Sequence, residues 1–187
     1  MMKNILLLLL IFLSTSFTHD DIEDKISWTK EYKLTWSDFK GKPNKSSKNF
    51  AATDSGFGFK TGTITKDSCT IIVENNFFKK SSWVKKDKGS NKLLAHEQCH
   101  FDITEVCTRK ARKTLSLVKF DFKTIQKTLD EIFKNEHSDW IKMQTLYDKE
   151  TEHSIAIEKQ QEWEKKVAKK LNELKNYSEL TIRILKQ

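Results

Sequence analysis

At 187 residues the chain can build one domain with a sizeable core and is too short for two independent ones. Its formal charge of +8 comes from lysines spread along the chain, the pattern of a solvated surface with a general attraction for anionic partners such as envelope polymers or acidic proteins. No Gly-rich phosphate loop and no nucleic-acid-binding motif is present, so nucleic-acid partners are excluded.

The first residues, "MMKNILLLLLIFLSTSFTHDD", read as a secretory signal peptide over 1–18. Lys3 supplies the positive start, Ile5 to Leu13 the apolar core, and the small residues Ser14 and Ser16 follow. The apolar run is too short for a spanning helix. No Cys follows closely enough to take a lipid, so the mature chain, beginning near Phe17 to His19, is expected to be exported to the periplasm or outside the cell. No stable membrane insertion is expected after cleavage. Residues 19–187 are then the functional domain.

Residues 34–85 carry strand chemistry. A short strand or turn is expected at Leu34 to Phe39, followed by a loop at Gly41, Pro43 and a Ser/Lys/Asn cluster. The Phe-, Thr-, Ile- and Val-rich stretch "FAATDSGFGFKTGTITKDSCTIIVENNFF" predicts two or three antiparallel strands, one centred on Ser68 to Val73.

From Asn91 onward Gly and Pro are absent and apolar residues recur at three and four, so residues 91–176 read as helical. Ser90 is the expected N-cap of a helix through about Lys113. A second helix is expected from Phe122 to Leu146, a break over Tyr147 to Ser154, and a third helix from Ile155 to Leu174. Strands followed by helices give an α+β class: a small N-terminal antiparallel sheet and a helical C-terminal half, zincin-like, in one domain.

Cys69, Cys99 and Cys107 make an odd set for an exported chain. Cys99 and Cys107 on one helix would lie about 12 Å apart along its axis, too far for a disulfide. Cys69 paired with either one, or three buried free thiols, remain open.

The stretch "LLAHEQCHFDIT" carries the chemistry. Its H-E-x-x-H spacing puts His96 and His100 on one helix face, where two imidazoles can reach one ion. Glu97 is rotated back toward that side by about 60° from His100, so it can act as a general base on a water activated by zinc. A catalytic zinc usually takes three protein ligands. In the nearby positions Ile103 and Val106 cannot ligate, Glu105 points away, and Cys107 lies about 10 Å along the axis. The distant candidates are His153, Glu136, His137 and His19. His153 is favoured because it sits at a break between helices, where a side chain can be aimed at a neighbour. The stretch "NEHSD" resembles the glutamate-ligand helix of thermolysin-like proteases but is one residue short of its N-E-x-x-S-D pattern.

Six blocks, "LTWSDFKG", "AATDSG", "SSWVKK", "LLAHEQCHFDITEVCTRKARK", "YDKETEHS" and "QQEWEKKV", occur in that order in a family the chain resembles from about Leu34 to Leu174. It is a family of exported bacterial proteins catalogued as a domain of unknown function and described as candidate zinc-dependent proteases. The resemblance implies ligands at His96, His100 and His153, with Glu97 as the base. Two positions depart from the family pattern, Cys99 and Ser154, each standing where glycine is usual. The resemblance also implies supporting roles for Asp102, Glu105 and Asp148, and offers Tyr147 as an oxyanion donor against its reading as a packed aromatic. Trp36, Trp83, Trp140 and Trp163 read as core and anchor residues.

The leading expectation is thus a secreted zinc metalloprotease acting on an unidentified peptide or protein substrate, with Ser68 to Phe77 offered as a strand for an extended substrate. The alternative is a metal-stabilised, non-catalytic binding module of the cell envelope. A metal-free binder of anionic polymers is a third.

Overall fold

The structure, a computed structural model, describes residues 24–121 and 123–186. The expected signal peptide, its cleavage site and His19 lie outside the described residues.

The centre of the fold is one sheet strand and one helix, packed face to face. Strand β4 (Ser68–Phe78) alternates as half-buried strands do: Cys69, Ile71, Val73, Asn75 and Phe77 are buried and their neighbours are partly exposed. It pairs antiparallel with β3 (Ser55–Ile64) along one edge. Its other edge is taken by β1 (Lys25–Ser27) and β7 (Thr181–Lys186), both antiparallel. The short β6 (Lys119–Phe120) then joins β7 in parallel. A two-stranded ribbon, β2 (Ala51–Ala52) with β5 (Trp83–Val84), stands apart.

Three α-helices among the described residues complete the α+β domain: α1 (Asn91–Ser116), α2 (Ile125–Thr151) and α3 (Ile157–Glu173). Ser90 caps α1 as expected, its hydroxyl accepting from the Leu93 amide at 3.2 Å. Helix α1 lies between the sheet and the other two helices. Leu115 and Leu129 join Cys69, Ile71, Val73 and Ile184 on the sheet side, while Cys99, Ile103 and Val106 meet Tyr147, Trp163 and Val167 on the helix side.

Of the two readings of Leu34 to Phe39 the turn is the one formed, a 3-10 turn over Trp36–Asp38. Three expectations change. Helix α2 runs into the expected break as far as Thr151, and the break itself falls later, over 152–156, because the Thr151 hydroxyl donates back to the Tyr147 carbonyl at 2.7 Å instead of capping a new helix. The chain after α3 returns as β7, so the sheet is not confined to the N-terminal half and not wholly antiparallel. Finally, β4 is paired on both sides, so Ser68 to Phe77 offers no free edge for a substrate strand.

Cys69, Cys99 and Cys107 are all buried free thiols. Burial pushes Cys99 and Cys107 up to about 12, the state of inert core thiols. Trp163 is fully buried, Trp36 packs against Phe39, and the Trp140 indole donates to the Thr104 hydroxyl at 3.0 Å. Among the described residues no helix is long and apolar enough to cross a membrane.

Candidate metal centre

Successive turns of α1 carry His96 and His100, whose rings meet edge-on with centroids 4.7 Å apart. Their Nε2 atoms lie 3.2 Å from each other. Helix α2, crossing beside α1, brings Asp148 Oδ1 to 3.2 Å from His96 Nε2 and 3.0 Å from His100 Nε2. Among the described residues these three form a group that could hold a metal ion. Four donors placed tetrahedrally about 2 Å from an ion stand about 3.3 Å apart, so the three separations are those of one face of such a site.

The protons decide what this triangle needs. Gln144 Nε2 donates to the His100 carbonyl and to Thr104 Oγ1, at 3.0 and 3.1 Å. That turns its Oε1 toward His100 Nδ1, 2.6 Å away. Gln160 is fixed in the same way: its Nε2 donates to Glu164 Oε1 at 2.9 Å, and its Oε1 faces His96 Nδ1 at 3.1 Å. An amide oxygen can only accept, so both histidines carry their proton on Nδ1 and turn the lone pair of Nε2 inward. Two lone pairs and a carboxylate oxygen then converge with no hydrogen between them, which only a cation or added protons can stabilise.

The electrostatics agree that the triangle attracts positive charge. Burial pushes the His100 imidazole down, but the charges of Glu97 and Asp148, and the hydrogen bond to Asp148 that a proton added at Nε2 makes, outweigh it and hold it above the ordinary histidine value. Burial likewise raises the Asp148 carboxyl, and protons added to His100 and His96 outweigh it and hold it well below the carboxylate range.

Glu97 is buried and lines the same cleft, of about 370 Å³. Its carbonyl accepts from Thr53 Oγ1 at 3.1 Å, while its Oε2 is buried without a hydrogen-bond partner. A buried carboxylate oxygen left bare costs of order 1–3 kcal/mol or more. Such an oxygen beside a cation-seeking triangle suits a group that must take up a proton.

The distant candidates fall into different places. His153 lines the cleft but is half-exposed, and its Nδ1 lies 3.3 Å from the same Asp148 Oδ1. It therefore stands next to the triangle through Asp148. Its position comes from three successive left-handed residues, Glu152, His153 and Ser154, at φ 49°, 51° and 79°. They turn the chain back so that the His153 amide donates to the Asp148 carbonyl at 3.0 Å. Ser154, where the family pattern has glycine, thus does occupy a positive-φ turn. Glu136 instead accepts from Thr114 Oγ1 at 3.1 Å, and His137 packs against the rings of Phe57 and Trp140, so neither joins the group.

The residues offered for supporting roles take different places. Asp102 faces the opposite side of α1, accepting from the Trp28 indole at 2.7 Å and Gln98 at 2.9 Å. Glu105 pairs with Arg109 and Arg112 in the core. Asp148, expected only to support a ligand, supplies an atom of the triangle itself. Tyr147 is fully buried and stacks on His96 at 4.6 Å and 21°. Its hydroxyl donates toward Gln160 Oε1 and the His96 carbonyl, at 2.7 and 3.2 Å, so it is a packed aromatic, not an oxyanion donor in the cleft. Gln144 and Gln160 were not foreseen. Gln144 could have been found, since it lies one helical turn before Asp148 on the same face; Gln160, on another helix, had no local signal.

No curated protein and no solved structure matches the chain. Residues 79–154, a span that holds His96, Glu97, His100, Asp148 and His153 together, match the family described as "Bacterial protein of unknown function (DUF922)".

Proposed function

We propose that the chain is an exported zinc-dependent peptidase, acting in the periplasm or outside the cell on an unidentified peptide or protein. The observation that carries this reading is the triangle of proton-free acceptors, His96 Nε2, His100 Nε2 and Asp148 Oδ1, set in one cleft with the bare Oε2 of Glu97. The nitrogen and carboxylate donor set suits zinc. His96, His100 and Asp148 would hold the ion, and zinc bound there supplies Lewis-acid polarisation of a carbonyl and acidification of water.

The remaining chemistry belongs to the chain. Gln144 and Gln160 hold the two imidazoles in the tautomer that turns Nε2 inward. Glu97 takes a proton at Oε2 from the water that attacks the peptide carbonyl, then returns it to the departing amine nitrogen. Thr53 anchors the Glu97 backbone from the facing ribbon, so the base stays aimed at the cleft.

The test pairs zinc content with cleavage of an unstructured protein. Glu97→Gln is expected to keep one zinc per chain and lose activity by about 10²–10⁴-fold; a variant that keeps zinc and full activity overturns the mechanism.

A second reading, the metal-stabilised binding module, is suggested by one observation: His153 Nδ1 lies 3.3 Å from Asp148 Oδ1 but outside the group of three, and a movement of this exposed side chain toward the histidines would make it a fourth protein donor. A closed site leaves no position for water. The count of protein donors in the zinc-loaded protein, by X-ray absorption, separates the two: three fits the peptidase, four the module.

A further inference from the structure

The cleft has two apolar walls that the metal centre does not use. Phe50, just before β2, is 51% exposed, and Ile155, from a different part of the chain just after the left-handed turn, is 68% exposed. Both line the cleft that holds His96, Glu97 and Asp148. Neither is loose. The Phe50 carbonyl accepts from the Lys85 amide at 2.8 Å and its ring lies under Lys88 Nζ at 5.2 Å. The Ile155 carbonyl accepts from Lys92 Nζ at 2.9 Å, which ties the turn to the first residues of α1. Two anchored, exposed, bulky apolar side chains facing one polar centre lose water only when something apolar enters between them. Leu93 and Ala51 continue the apolar lining inward, and both are buried.

We infer that Phe50 and Ile155 form a specificity clamp for an extended peptide, gripping a bulky apolar side chain next to the bond that is cut. This deepens the peptidase reading and rests on it. The cleft volume of about 370 Å³ lies at the small end of ligand pockets, which fits a side chain and its flanking backbone but not a folded domain. The substrate class is therefore an unfolded or loop segment carrying Phe, Leu, Ile or Met.

The test uses the zinc-loaded full chain and pairs of synthetic decapeptides that differ at one position, Phe against Ser. The Phe peptides are expected to be cut beside that residue with kcat/KM roughly 10–100-fold higher. Phe50→Ser with Ile155→Ser is expected to bring that ratio to within about threefold of one, read as the two peptides' kcat/KM compared within the same variant. Both side chains are exposed, so folding should survive. A parallel arm measures binding of the same peptides, fluorescein-labelled, to the Glu97→Gln protein. Cleavage without apolar preference, or a preference untouched by the double substitution, overturns the clamp and leaves the peptidase. A Phe preference in binding that needs Phe50 and Ile155, with no cleavage of any peptide by the unsubstituted protein, overturns the peptidase and leaves an apolar binding cleft. Neither binding preference nor cleavage overturns both.

Discussion

Helix α1 buries two polar clusters two turns apart, and they are built on opposite principles. Toward its C-terminal half, Glu105 Oε1 accepts from Arg109 Nε at 2.9 Å and Arg112 NH1 at 3.0 Å, while Oε2 accepts from Asn75 at 3.4 Å. The Arg112 guanidinium also donates to the carbonyls of Val73, Tyr177 and Ser178, tying the sheet to the segment that leads into β7. Every charge there meets an opposite partner, and the one bare atom is a neutral amide oxygen, Asn75 Oδ1. Toward its N-terminal half, His96, His100, Asp148 and Glu97 present acceptors to acceptors, and one oxygen has no partner. A charge-paired buried cluster is a structural clamp, because breaking it strands a charge. A cluster of acceptors carrying unpaired negative charge draws a cation or protons from outside the chain.

The contrast can be broken first at the clamp. Arg112→Leu should cost about 3–5 kcal/mol by leaving Glu105 and the Val73 carbonyl short of donors, read as a lower urea midpoint; a loss below about 1 kcal/mol would show that the cluster is not structural. At the other cluster the gain should come from outside. Zinc at about a thousand times its Kd should add about 4 kcal/mol to unfolding, seen as a chelator-reversible rise in Tm, and His100→Ala should abolish it. Zinc that leaves Tm unmoved would remove the distinction between the clusters.

Smaller effects sharpen the picture. Gln144→Leu or Gln160→Leu should weaken zinc binding by about 10–100-fold, or roughly 1.4–2.8 kcal/mol, in a competition titration. Affinity unchanged in both would mean the tautomers are not set by those amides. Ser154→Gly should stabilise the fold by about 1 kcal/mol, since glycine adopts φ 79° without strain, and should leave zinc affinity within a factor of a few. A destabilised glycine variant would argue that the turn is held by the serine side chain.

The parts of the fold that were legible in the amino-acid order depend on neighbours a few residues apart. The Ser90 cap, the span of α1, the span of α3 and the strand composition of β4 are all of this kind. The missed parts depend on partners far along the chain. β7 is a short strand whose pairing with Ser68–Ile72 lies more than a hundred residues back. The register of α2 against α1 decided that Asp148 reaches the histidines while Glu136 and His137 do not, and the reading of Tyr147 to Ser154 as a break obscured it. Asp and Thr are capping residues by propensity, yet here Thr151 bonds back into its own helix and Asp148 points across to α1.

What the sequence by itself determined is the pair of histidines with the glutamate between them, because H-E-x-x-H is satisfied by one helix and 3.6 residues per turn. Tertiary structure alone decided what completes it. Asp148 in the triangle, His153 beside it, the two glutamines behind the imidazoles and the apolar walls of the cleft come from three helices and a ribbon. Their meeting is governed by how α1 is buried between the sheet and the other helices, a property of the whole packed core that no local spacing records.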